Sequence, residues 1–159
     1  MARLFAGFDR SVEALVAVLM AAMVVIGSMQ IFNRFFLNAS LSWSEELQRY
    51  IHIWIVFLAV PIGYRRGVHI GMTMLLERLP KPGRDLIGWA IELSWLLLAF
   101  AFGWYALVIM EVAQFQTSAG LGITMDRVYA AEVAGGLYLA FVALRRLAAR
   151  AAGHTEVTP

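Results

Sequence analysis

Residues 93–110 run for eighteen positions without a charged side chain. As a helix rising about 1.5 Å per residue they reach about 27 Å, close to the roughly 30 Å hydrocarbon core of a bilayer. A backbone crossing that medium must satisfy its own polar groups, which leaves helices or closed barrels. Three further apolar stretches accompany it. Residues 12–32 are broken only by Glu13 and Gln30, and two more stretches cover about 43–64 and 128–147. The expectation is an all-α integral membrane protein of one domain over residues 1–159. Its four transmembrane helices are expected at about 12–32, 43–64, 86–111 and 128–147, with a short mobile tail at 150–159.

Composition agrees. Hydrophobic residues make up 61% and charged residues 15%, with a mean hydropathy of +0.72, whereas soluble domains are about half apolar and a quarter charged. Cysteine is absent, which excludes disulfides, thiolate metal sites and a cysteine nucleophile. A pI of 9.3 does not imply nucleic acid here, because long apolar runs separate the basic residues into loops. The first run exceeds the roughly 7–15 apolar residues of a signal peptide, which favours an uncleaved span.

Basic residues also set the orientation. Arg3, Arg10, Arg65, Arg66, Arg78, Lys81, Arg84, Arg145, Arg146 and Arg150 fall on one side of four spans, while Arg34, Arg49 and Arg127 fall on the other or just inside it. Ten against three places both termini in the cytoplasm by the positive-inside rule. Trp43 and Tyr129 then lie at the outer interface, Tyr64 and Trp89 at the inner one. Short interfacial segments are expected at 33–41 and 72–79. The second is amphipathic, with Met72, Leu75, Leu76 and Leu79 at i, i+3, i+4 and i+7.

Polar chemistry concentrates at the start of the second span, in Ser42-Trp43-Ser44-Glu45-Glu46-Leu47-Gln48-Arg49. Ser42 and Glu45 have capping-box spacing. Glu45, Gln48, Arg49 and His52 recur at i, i+3, i+4 and i+7 and make one polar stripe over two turns. Ile55, Val56 and Ala59 continue that face as apolar, so the stripe belongs to the outer half and gives no full conduit. Ionisable groups there are expensive and tend to face protein or water. Arg49 has two readings: an ion pair with Glu132, which lies at a similar depth on the fourth span, or snorkelling to the outer headgroups. Pro61 predicts a local kink. Glu92 reads as an interfacial carboxylate rather than a proton relay. Ala131/Gly135 and Gly136/Ala140 are small-xxx-small pairs that let helices approach closely. His52 and His69 lie too far apart along one helix for axial haem ligands, and no nucleotide loop, zinc site or nucleophile elbow is present, so no enzyme and no cofactor is expected. Asn38-Ala39-Ser40 matches a glycosylation sequon, a pattern short enough to arise by chance.

Asn33-Arg34-Phe35-Phe36, Trp43 with Glu45-Glu46-Leu47, Arg49-Tyr50, Trp54, Phe57-Leu58-Ala59, Arg66-Gly67 and His69-Ile70, in that order, resemble the small permease subunit (DctQ type) of tripartite ATP-independent periplasmic (TRAP) transporters. Ala59, Thr73 and Ala131-Glu132-Val133 depart from the family pattern. The resemblance implies a multi-pass subunit of the bacterial inner membrane that scaffolds a large multi-span permease. That permease would carry a small organic anion, a carboxylate, delivered by a periplasmic binding protein and coupled to sodium. The partners implied are that permease, the binding protein and the bilayer. On this reading Trp43, Glu45, Glu46, Gln48, Arg49, His52 and Glu132 form a partner-interface or structural cluster, and Arg34, Trp54, Arg66, Gly67 and His69 are motif positions. The alternatives are a self-sufficient small carrier or exporter acting as an oligomer, for which Glu92 would be the membrane-centre carboxylate, and the membrane anchor of a redox complex.

Overall fold

The computed structural model describes residues 2–39, 41–67 and 79–152, with side chains from Phe5 onward. Among the described residues four helices follow one another: α1 (Ala2–Phe36), α2 (Ser42–Arg65), α3 (Lys81–Ala113) and α4 (Asp126–Ala151). Each is long and apolar enough to cross a bilayer. At 35 and 33 residues, α1 and α3 reach about 50 Å, which a 30 Å core accommodates by tilt or by overhang of the charged ends. Two of the helices extend beyond the spans expected from the sequence. α1 starts well before Val12 and runs through to Phe36, so residues 33–36 of the segment expected to lie along the interface form its last turn. There Asn33 Nδ2 donates to Met29 O at 2.8 Å and the Phe32 and Phe36 rings stack at 4.8 Å. Arg150, expected in a tail, lies in the last turn of α4 and donates to Asp85 O at 3.4 Å. The expected amphipathic segment at 72–79 falls, apart from Leu79, outside the described residues, as do His69 and residues 153–159.

The capping box does not form. α2 begins at Ser42 itself, its N-cap is Leu41, and no side chain caps it. Ser44 Oγ instead donates to Leu41 O at 2.7 Å, and the Glu45 carboxylate turns sideways to α1, where Gln30 offers an amide.

In space the helices lie in the order α1, α2, α4, α3, since close backbone approach occurs for α1 with α2, α2 with α4, and α3 with α4. α4 is thus flanked on two sides, and its sequence explains how. Gly135 and Gly136 point at different neighbours: a Cβ on Gly135 would sit 2.5 Å from Phe57 O on α2, and one on Gly136 would sit 3.2 Å from Ala99 O on α3. The first approach has a second cause. Pro61, buried within α2, has no N–H to offer the carbonyl four residues back, which is that of Phe57. The unsatisfied carbonyl is covered by the glycine of α4. Tyr64, Ala99, Tyr138, Leu139, Val142 and Ala143 form the packed core beside it. By contrast, no residue is buried in the most apolar eighteen-residue window of α1.

The antiparallel course gathers the start of α1, the end of α2, the start of α3 and the end of α4 at one end of the molecule, called the basic end below. The opposite end carries the connections at 37–41 and 114–125, the loop end.

Candidate functional site

Polar side chains within the helices fall into two groups. At the basic end they are paired. Asp9 is 2% exposed and accepts from Tyr138 Oη at 3.0 Å and Arg145 Nη1 at 3.0 Å, with Arg65 Nη1 at 3.3 Å. Glu13, one turn along α1, binds Arg65 and, at 3.0 Å, Arg66. Glu92 is 4% exposed; it accepts from Tyr64 Oη and, at 3.0 Å, from Arg146 Nε. Arg146 also donates to Tyr64 O at 2.9 Å and lies over the Tyr64 ring, which stacks on Trp95. The carboxylates come from α1 and α3 and the guanidinium groups from the ends of α2 and α4, so each pair ties two helices together. Buried carboxylates are tolerated because they are paired and hydrogen-bonded. Glu92, expected as an interfacial carboxylate, is a buried counter-ion between α2, α3 and α4.

Sequence reasoning missed Asp9 and Glu13. The signal lies in their i, i+4 spacing on one face of α1, matched by the Arg65-Arg66 and Arg145-Arg146 pairs on the same side of the four spans.

At the loop end Glu46 organises the connection between α3 and α4. Its Oε2 accepts the backbone N–H of Gly120 at 2.7 Å and of Leu121 at 3.1 Å, and its Oε1 accepts Tyr50 Oη at 2.7 Å. Buried Ser118 closes the turn, taking Leu121 N–H on Oγ and Gly122 N–H on its carbonyl. Gly120 fits because a Cβ there would meet Glu46 Oε2 at 2.7 Å and half-buried Trp43 at its Cα at 3.3 Å. Gly122 has φ +65°, a backbone conformation glycine adopts without strain.

The stripe of α2 divides. Gln48 Nε2 donates to Gln30 Oε1 at 2.8 Å, and Gln30 Nε2 donates to Glu45 Oε1 at 3.2 Å, a relay that fixes α1 against α2. Arg49 and His52 take no part in it. Both are exposed, and neither makes a hydrogen bond or ion pair with the described residues. Of the two readings of Arg49, the ion pair with Glu132 does not form among the described residues. Depth was matched but direction was not: at about 100° per residue, Arg49 lies opposite Leu58, which is buried, and so falls on the exposed face of α2. Glu132 is half-buried and likewise unpaired among the described residues.

Of the motif positions, Arg34 is exposed, Trp54 half-buried, and Arg66 holds Glu13. Gly67 ends α2 at φ +67°, with its N–H on Tyr64 O at 3.2 Å, the left-handed glycine stop that follows many helices. Among the described residues no group of three or more His, Asp or Glu is placed to hold a metal ion.

Four membrane-length helices with internal ion pairs at one end and a hydrogen-bonded loop at the other define a multi-pass helical membrane protein. Residues 23–153 match the family model described as the DctQ component of tripartite ATP-independent periplasmic transporters. The chain belongs to that family: it is a small permease component of a TRAP transporter, a multi-pass protein of the bacterial inner membrane, and not an enzyme. It is 25% identical over 144 residues to a protein assigned as a TRAP transporter small permease in Haemophilus influenzae, covering 87% of this chain and 86% of that one. It is 26% identical over 143 residues to the sialic acid TRAP transporter small permease SiaQ of Vibrio cholerae, covering 86% and 80%. It is also 32% identical over 85 residues to the isethionate TRAP transporter permease DctMQ of Oleidesulfovibrio alaskensis, covering 52% of this chain and 13% of that longer one.

Proposed function

We propose that this subunit is the fixed brace of its transporter: it holds a large multi-span permease in the membrane and carries no solute itself. Both termini face the cytoplasm. The permease moves a small organic anion, a carboxylate, with sodium, and a periplasmic protein delivers it. The Glu46-pinned loop then faces the periplasm as a shaped surface beside that protein.

The observation that carries the reading is the lining of the grooves. The groove between α3 and α4, of about 670 Å3, is walled by leucines, Phe100, Trp104, Gly103 and Gly136, and a second of about 550 Å3 by Phe5, Phe8, Phe141 and neighbours. Neither contains a charged side chain. A carrier of anions or sodium needs polar groups near the midplane, often on broken helices, and Glu92 is occupied by Arg146 and Tyr64. The match to 13% of a longer TRAP permease chain supports close association, since a similar segment is there joined to a permease.

The test is uptake in cells lacking this subunit but expressing permease and binding protein. Loss of uptake with unchanged capture of substrate by the binding protein is expected. Solute movement by the purified subunit alone in vesicles, abolished by Glu92→Gln, would contradict the reading.

A further inference from the structure

His52 lies ten residues into α2, about 15 Å below its first residue and about 20 Å from Arg65 at the other end. An imidazole reaches neither headgroup region from there. It is exposed, and so is Arg49 three residues above it. Glu45, Arg49, His52 and Val56 share one open face of α2, while Gln48 is turned to α1 and Tyr50, Ile55 and Leu58 are buried within the chain. In hydrocarbon such groups would lack hydrogen-bond partners, an arrangement that intramembrane ionisable residues avoid by facing protein. Arg49 alone could snorkel; His52 one turn deeper could not. Glu92, eleven residues into α3 and buried, finds its partners inside the chain.

Resting on the brace reading, we propose that this face of α2 is the seat of the large permease, and that the permease presents a carboxylate to Arg49 and a hydrogen-bonding side chain to His52. The complementarity is specific in sign: among the described residues Arg49 is the unpaired guanidinium at this depth, and Glu45, the nearest carboxylate on the same face, accepts from Gln30. The surface therefore calls for an acidic partner residue roughly 10 Å inside the outer boundary, on a helix lying along α2. The exposed apolar faces of α1 and α3 carry no such demand and suit lipid.

The experiment uses the full transporter in its native membrane, with a photo-reactive residue at position 52 or, as a control, at Leu97 on α3. The expected result is a cross-link from position 52 to the large permease, identified by mass. Arg49→Leu/His52→Leu should lower the permease recovered per folded small subunit at least tenfold, while the isolated small subunit melts no lower than wild type. Lipid-only cross-links from position 52, or unchanged recovery in the double variant, overturn the proposal; if the permease then cross-links at Leu97, the brace reading survives. Failure of the wild-type subunit to co-purify with the permease overturns both.

Discussion

The two ends of this molecule treat charge in opposite ways. At the basic end Asp9, Glu13 and Glu92 meet Arg65, Arg66, Arg145 and Arg146 within the chain. In the half toward the loop end Arg49 and His52 face outward with no such partner. The same physics governs both, because an ion or imidazole away from water needs a partner. Where the partner is internal, the residue holds the fold. Where it is not, the residue points to the neighbour that completes it. The contrast predicts that substitutions at the basic end damage the isolated subunit, whereas substitutions on the open face of α2 damage only the assembly.

The largest stability effect should follow Asp9→Asn, which leaves Arg65 and Arg145 beside a neutral amide. Removing one partner of a buried pair costs about 3 kcal/mol, read as a lower unfolding midpoint of the purified subunit in detergent and as loosening of the α1 N-terminus to protease. Wild-type stability would dissolve the distinction between the two ends. Next is Gly135→Ala, expected to cost about 2 kcal/mol by pressing a methyl group against the Phe57 carbonyl. Gly63→Ala is the matched control, because nothing lies within 4 Å of the added Cβ; it should be neutral or gain up to about 1 kcal/mol in helix propensity. Glu46→Gln should have the smallest global effect. The neutral amide keeps one acceptor but loses the charge-assisted bonds to Gly120 and Leu121, so amide exchange should rise at 118–122 while the four helices exchange as before.

Much of this was legible in the sequence because length and hydropathy are one-dimensional. Four apolar runs gave four helices, and Gly135 and Gly136 marked the crossing points before the neighbours were known. What escaped was direction around a helix axis relative to its neighbours. Arg49 and Glu132 match in depth, yet Arg49 lies on the exposed face of α2. Asp9 and Glu13 looked like the polar margin of an apolar run, and only the return of α2 and α4 to the same end brings guanidinium groups to them. The Ser42–Glu45 cap failed for a related reason: spacing along the chain offered a local bond, and Gln30 on another helix drew the carboxylate to a different one. The split of the α2 stripe into an internal relay and an open face needed the position of α1.

The most direct test of the central claim is the amount of large permease recovered per folded small subunit for Arg49→Leu/His52→Leu, set beside the melting of that small subunit alone. The account predicts at least a tenfold loss of recovery with melting no lower than wild type. Undiminished recovery would contradict it, as would a subunit that unfolds before it can assemble.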